Sequence, residues 1–278
     1  VLKTKGKATM NNWLNNFKQA WDMLLDLPLP MSKKEEEPEI EGDSEAVESG
    51  LPVLAYFPVI GFLLGLVLYF ASWLLLNLGG QLAGALVAAF AGAAFLEYVC
   101  SGRNFALAVS FIENRFKGMP TREALLELDD EFASNRQPVG FLALNLIFLI
   151  KVLCIGVLVY KGMLFWLIIV MTAGYLVQAH LAMADSMETR EPLVELPEGK
   201  EKLPWLIGSA IILIVGMKCL VGVLLGLLIA AMLAVLLKKY FETLFNGVNG
   251  MLVGLGGYLT ELVLLLIGVA VFARNGLF

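Results

Sequence analysis

The sequence predicts an all-α, polytopic transmembrane helical bundle of about seven spans, preceded by an N-terminal interfacial helix. Three observations predict it. Hydrophobic residues make up 59% of the 278, against about 45–50% in soluble domains, and the mean hydropathy is +0.78. Apolar runs long enough to cross about 30 Å of hydrocarbon recur after residue 50. Lys and Arg gather in alternate loops, as the positive-inside rule requires of a cytoplasmic N-terminus.

Residues 1–30 are expected to form the interfacial helix. Trp13, Leu14, Phe17, Trp21, Leu24 and Leu25 recur at helical spacing behind Lys3, Lys5 and Lys7. Trp at headgroup level suits a helix lying on the membrane, and packing on the bundle is an equal alternative. Pro28 and Pro30 end the helix. Residues 31–50, MSKKEEEPEIEGDSEAVESG, are dense in Glu and poor in apolar side chains, the composition of a disordered linker. The remainder, residues 51–278, is read as the transmembrane domain. Its spans are placed at about 54–78, 81–99, 141–160, 162–181, 204–218, 219–237 and 251–273. The fifth and sixth are short and meet at Lys218-Cys219.

The polar stretch 100–140 is the longest water-compatible segment of that domain and is assigned to a cytoplasmic loop. Of twenty Lys and Arg, sixteen fall in residues 1–50, 100–140, 182–203 and 238–250; only Lys161, Lys218 and Arg274 lie in the outside segments. This bias fits a cytoplasmic N-terminus, with the long loops in the cytoplasm. No apolar h-region ending in a cleavage site stands in the first fifty residues, so entry through the first span is expected.

Composition also excludes. The net charge of -5 comes mostly from the acidic tract, and no basic domain for nucleic acid is present. Cys100, Cys154 and Cys219 are far apart, with no CxxC spacing. One histidine, His180, excludes a His-rich metal site. Ionisable groups inside a membrane are costly and functional by default. Four qualify: Glu97 and His180 near span ends, where snorkelling is favoured, and Lys151 and Glu261, deep in their spans. Lys151 and Glu261 are candidates to pair with each other. Gly247, Gly250 and Gly254 suit close helix packing or backbone access to a phosphate.

Four stretches, in order, resemble the cobalamin synthase family (adenosylcobinamide-GDP ribazoletransferase). WDMLLDLPLP, residues 21–30, resembles that family's "FLTRLPVP". YFPVIGFLLG, residues 56–65, is similar to "FFPLVGLLLG". REALLELDDEF with the following VGFLALNLIFLIKV resembles "RERALEIMKDSRIGTFG" and its next span. FNGVNGMLVGLGGYLTELVLLL, residues 245–266, resembles "LGGVTGDVLGALVELSEVLVLL". The resemblance runs through nearly the whole chain.

What it implies is a multi-pass transferase of a bacterial or archaeal cytoplasmic (inner) membrane. The enzyme joins adenosylcobinamide phosphate to α-ribazole in the last step of cobalamin biosynthesis and releases GMP, with Mg²⁺ as cofactor. Its partners would be the corrinoid nucleotide, α-ribazole and the lipid bilayer, with a homo-oligomer or other cobalamin-pathway membrane proteins beside it. Displacement at phosphorus relies on positioning and charge neutralisation, so hard carboxylate ligands for Mg²⁺ are needed. The family's "GGLHLDGLADTADG" threads onto 101–114. Its His falls on Asn104, and its three Asp fall on Ala106, Ser110 and Glu113. Its later acids fall on Glu131, Met251, Tyr258 and Glu261. The resemblance thus carries over Glu113, Glu131 and Glu261 as catalytic candidates, Glu113 and Glu261 as metal ligands, and Gly102, Asn104, Ser110, Asn249 and Gly250 as substrate-binding candidates. Asp129 and Asp130 lie beside Glu131.

The departures set the functional alternatives. Ala106, Ser110, Met251 and Tyr258 cannot bind Mg²⁺ as carboxylates do, and each tenfold of rate is about 1.4 kcal/mol of barrier. An active transferase with an altered site, a non-catalytic paralogue acting as a corrinoid-binding or partner scaffold, and a small transporter built on Lys151 and Glu261 are the three readings. No inverted repeat supports the last. Convergence of Glu113, Glu131 and Glu261 at the cytoplasmic end is the expectation of the first.

Overall fold

The computed structural model describes residues 2–25, 51–100, 103–126, 138–187, 193–194, 196 and 199–274. Glu131, Gly102, Asp129, Asp130 and the acidic tract 31–50 lie outside the described residues. Those described are helical, joined by short turns, with one isolated parallel bridge between Ser186 and Val248. Helices are what apolar chain must form in lipid, because every backbone N–H and C=O then finds its partner within the segment.

α1 (Leu2–Leu24) precedes a 3₁₀ turn, Val53–Tyr56, that leads into α2 (Phe57–Gly79). Ala20, Leu24 and Leu25 are buried. Phe17 sets its ring edge-on to Tyr56 at 5.9 Å, and Trp13 lies 6.2 Å from the same ring. α1 therefore packs on the bundle through its aromatic stripe, the second of the two sequence readings.

α3 (Gln81–Val99) returns from α2 through Gly80, whose φ of 72° is a left-handed conformation that favours glycine. α4 (Arg103–Phe116) and α5 (Thr121–Leu126) follow, then α6 (Pro138–Tyr160) and α7 (Leu164–Leu181). Gln81 Nε2 donates to Tyr160 O across 3.1 Å, which fixes the α2–α3 and α6–α7 turns at one face. α7 is the central helix, with nearly every residue buried. It lies closest to α2, where Gly61 and Gly65 remove the side chains that would collide. A Cβ on Gly61 would stand 2.6 Å from Met171 O, and one on Gly65 2.6 Å from Ile168 Cα. Small residues four apart permit this approach in lipid.

Among the described residues, six helices are long and apolar enough to cross a membrane: Val53–Gly79, Gln81–Val99, Leu142–Tyr160, Leu164–Ala182, Leu220–Phe245 and Gly250–Phe272. α8 (Leu203–Val215) is a shorter apolar helix, with Met217–Cys219 in a 3₁₀ turn after it. α9 (Leu220–Phe245) and α10 (Gly250–Arg274) complete the chain. Connectivity requires α8 to cross as well. Val194 N donates to Ala182 O, and Trp205 Nε1 to His180 Nδ1, so α8 starts beside the end of α7. The Ser186–Val248 bridge puts the α9–α10 junction at that same face. α8 and α9 thus form a hairpin whose turn lies at the opposite face, and with the six long helices α8 makes the seventh pass. The protein is an all-α multi-pass membrane bundle. Large exposed residues such as Phe70, Leu74, Phe90, Leu224 and Leu228 belong to its lipid-facing surface.

One stretch departs from its sequence reading. Residues 103–116 are an amphipathic helix tucked against α6 and α10. Asn104 through Ser110 are all buried. Phe105, Leu107 and Val109 outweigh the flanking charges, so burial of apolar area draws this segment out of the expected loop.

Candidate functional site

Glu97 sits at the last turn of α3, Lys151 in the middle of α6, and Tyr258 and Glu261 one turn apart on α10. Their helices pack so that the four side chains meet. Lys151 Nζ is 2.8 Å from Glu97 Oε1 and 3.7 Å from Glu261 Oε2. Its side chain is 2% exposed. The ammonium also lies 4.6 Å from the centre of the Tyr258 ring, a cation–π distance. The Tyr258 hydroxyl donates to Glu97 Oε1 at 3.3 Å.

A cavity of about 10 Å³, room for one water, opens among these groups and is also lined by Cys100, Asn104 and Tyr175. Cys100 Sγ and the Tyr175 hydroxyl stand 3.9 Å apart. Burial, with the Glu261 carboxylate adding to it, pushes the Cys100 thiol up to about 11. Asn104 is 8% exposed, and its Oδ1 is buried with no hydrogen-bond partner. Glycines make the space. A Cβ on Gly174 would fall 2.7 Å from Glu261 Cγ, and one on Gly254 would overlap Asn104 Oδ1. Gly254 therefore admits a side chain rather than a phosphate.

The proposed pairing of Lys151 with Glu261 is present. The closer partner is Glu97, which the sequence reading had snorkelling to the interface. A buried ammonium 2.8 Å away holds it inside. One positive and two negative groups share the site. Taken with their full charges they leave one negative charge in a low-dielectric interior, where Coulomb energies are several-fold larger than in water.

The other sequence candidates are placed as follows. Glu113 lies on α4 against Gly140 at the start of α6, where a Cβ would overlap its carboxylate. Its Oε1 is buried without a partner. Glu261 meets α6 at Lys151, eleven residues further on, about 16 Å of helix rise. The two carboxylates thus touch α6 at separate levels, and the structure does not bring them to one ion. Among the described residues no group of three His, Cys, Asp or Glu side chains could hold a metal ion. Ala106 and Ser110 are buried in α4. Asn249 accepts from Leu252 N at 2.9 Å, an N-cap bond for α10. Gly250 follows it with open space around its Cα.

Sequence reasoning missed Tyr258 and Cys100 as members of the site. Tyr258 stands one turn before Glu261, so its place on the same helix face was available as a signal. Cys100 carried none. Comparison with protein-family models, with curated proteins and with solved structures gave no match.

Proposed function

We propose that this chain is a non-catalytic membrane scaffold of the cobalamin synthase type, holding a partner of the corrinoid pathway rather than transferring ribazole. The single observation that carries the reading is the Lys151 ammonium seated between Glu97 and Glu261. Phosphoryl transfer of the family's kind needs Mg²⁺ held by free carboxylates. Here the Glu97 and Glu261 carboxylates already hold a cation. A divalent ion would sit beside that ammonium, with a repulsion of about 4 kcal/mol per unit charge at 4 Å even at an effective dielectric of 20. Among the described residues, this set does not fit a Mg²⁺ site.

The link to the family is supported by placement. Asn104, Tyr258 and Glu261, which the resemblance aligns with the family's His and two of its acids, come from distant stretches and line one cavity. That cavity, at about 10 Å³, is too small to enclose a corrinoid, which favours the partner scaffold over the corrinoid-binding one.

The test is an assay of purified protein in liposomes with adenosylcobinamide-GDP, α-ribazole and Mg²⁺, beside an active cobalamin synthase. No GMP above the protein-free blank is expected here, and co-purification of the synthase with this chain from mild detergent is expected. Steady GMP release that Glu261→Gln abolishes would overturn the reading in favour of an active, altered transferase.

A further inference from the structure

The start of α8 rests on the end of α7, which closes at Leu181. Gly208 lets the two helices approach. A Cβ there would stand 2.9 Å from Leu176 Cδ2, so this contact is apolar. Ser209 bonds back to Trp205 O within its own helix. The indole of Trp205 is therefore the polar side chain that ties α8 to its neighbour. Its Nε1 donates to His180 Nδ1 at 3.1 Å, and the two rings meet edge to face at 5.8 Å.

This bond fixes the state of the imidazole. An indole N–H can only donate, so Nδ1 keeps its lone pair and the neutral ring carries its proton on Nε2. A second proton has only Nδ1 to go to, where it would face the indole N–H. The bond cannot survive that protonation. Water reaches the ring, because His180 and Trp205 line a cavity of about 480 Å³. Among the described residues, Glu201 and Lys202 face this cavity from the turn into α8, and Lys238 faces it from α9. Glu242 stands 3.7 Å from Lys238. Asp185, beyond the end of α7, is exposed. α2 carries no charged residue, and Glu261 of α10 meets α7 at Gly174, more than one turn before His180. The two ammonium groups and two carboxylates at the cavity balance while the ring is neutral. A proton on the ring adds a cation to a balanced set.

We propose that His180 and Trp205 form a pH-sensitive latch, which holds the start of α8 on α7 while the imidazole is neutral and opens when a proton from water occupies Nδ1. α8 is the pass that such a latch controls. It is thirteen residues long, and Pro204, Gly208 and Ile212 are its buried residues, so one hydrogen bond is a large share of what seats it. Imidazole is the side chain whose charge changes near neutral pH, which puts the opening within reach of ordinary acidification. The inference is independent of the proposed function, since it uses none of the groups around Lys151.

His180 is the single histidine of the chain, so isotope-labelled histidine reports this ring alone. The full chain, freed of any affinity tag, is studied by NMR in mild detergent. At about pH 8 a bare Nδ1 and a protonated Nε2 are expected, and by about pH 5 protons on both. The Trp205 indole N–H signal should shift with the same midpoint. Hydrogen exchange across α8 is then compared with His180→Asn, whose Oδ1 can take the place of Nδ1 and accept the bond without being protonated. Exchange in the unaltered chain should be at least threefold faster than in this variant at the acid end, and equal to it at the alkaline end. Trp205→Phe, which lacks the donor, should exchange fast at both. A proton on Nδ1 at the alkaline end, a ring that does not titrate in this range, or an indole signal indifferent to its titration would each overturn the latch. So would α8 exchange that is the same in all three chains at both ends.

Discussion

Lys151 carries a large burden for a single side chain, because it is the cation that the buried Glu261 and the partly buried Glu97 share. Removing one partner of a buried ion pair strands the others, at a cost of about 3–5 kcal/mol. Lys151→Met is thus expected to lower the unfolding midpoint sharply in a detergent denaturation series. Adding Glu97→Gln and Glu261→Gln to that variant should restore part of the loss, because no charge is then left alone. A triple variant less stable than Lys151→Met would show that the three groups do not act as a unit. The same carboxylate reaches Cys100. With its thiol pushed up to about 11 by burial and by Glu261, only the small thiolate fraction reacts at neutral pH. Deprotonation is what the shift disfavours, so alkylation should rise about tenfold per pH unit from 7 to 10. In a Cys154→Ala/Cys219→Ala background, maleimide labelling should follow that slope, and Glu261→Gln should speed it at fixed pH. A flat rate between pH 7 and 10 would contradict the assignment.

Helices meet here where glycine lets them. α2 and α7 form the most extensive pair in the bundle, and Gly61 and Gly65 sit at their closest approach. Gly65→Ala would drive a methyl into the Ile168 backbone, which cannot yield as a side-chain tip would. Overpacking of this kind costs about 1–3 kcal/mol. Gly92→Ala on α3 meets only side-chain tips, Leu68 at 3.3 Å and Ile155 at 4.0 Å, so a much smaller loss is expected, and unfolding midpoints of the two variants compare them directly. The helices themselves were legible in the sequence, since runs such as 54–78 and 81–99 need only length and hydropathy to be recognised. α4 was not. Its charged flanks read as a loop, and only contact with α6 and α10 buries Phe105, Leu107 and Val109. Within the site, Lys151 and Glu261 stood out because charge is rare in apolar runs. Glu97 lay close enough to a span end that water was an equally good partner until the fold supplied an ammonium.

For the molecule as a whole, the cytoplasmic N-terminus that the loop charges predict, together with seven passes, is expected to put Lys161 outside and Lys239 inside. Lys161→Cys, in a chain without its own cysteines, should react with a membrane-impermeant maleimide in intact cells. Lys239→Cys should react only after the membrane is opened. The reverse pattern would invert the orientation, and labelling of both from outside would remove one of the passes. α8 is the element at stake. At thirteen residues it is about 20 Å long, and it crosses because α7 and α10 fix both neighbouring ends at one face.

By itself the sequence determined the class of this protein, a multi-pass helical bundle, because the hydrocarbon thickness and the need to satisfy every backbone polar group act on each segment separately. It also singled out the charges that lipid would not tolerate. Only the tertiary structure decided their partners, since an ion pair depends on which helices lie side by side and at what height, and those are set by glycine contacts between residues far apart in the chain. The same packing put Glu113 and Glu261 at different levels of α6 and gathered Glu97, Lys151 and Tyr258 around a single cavity.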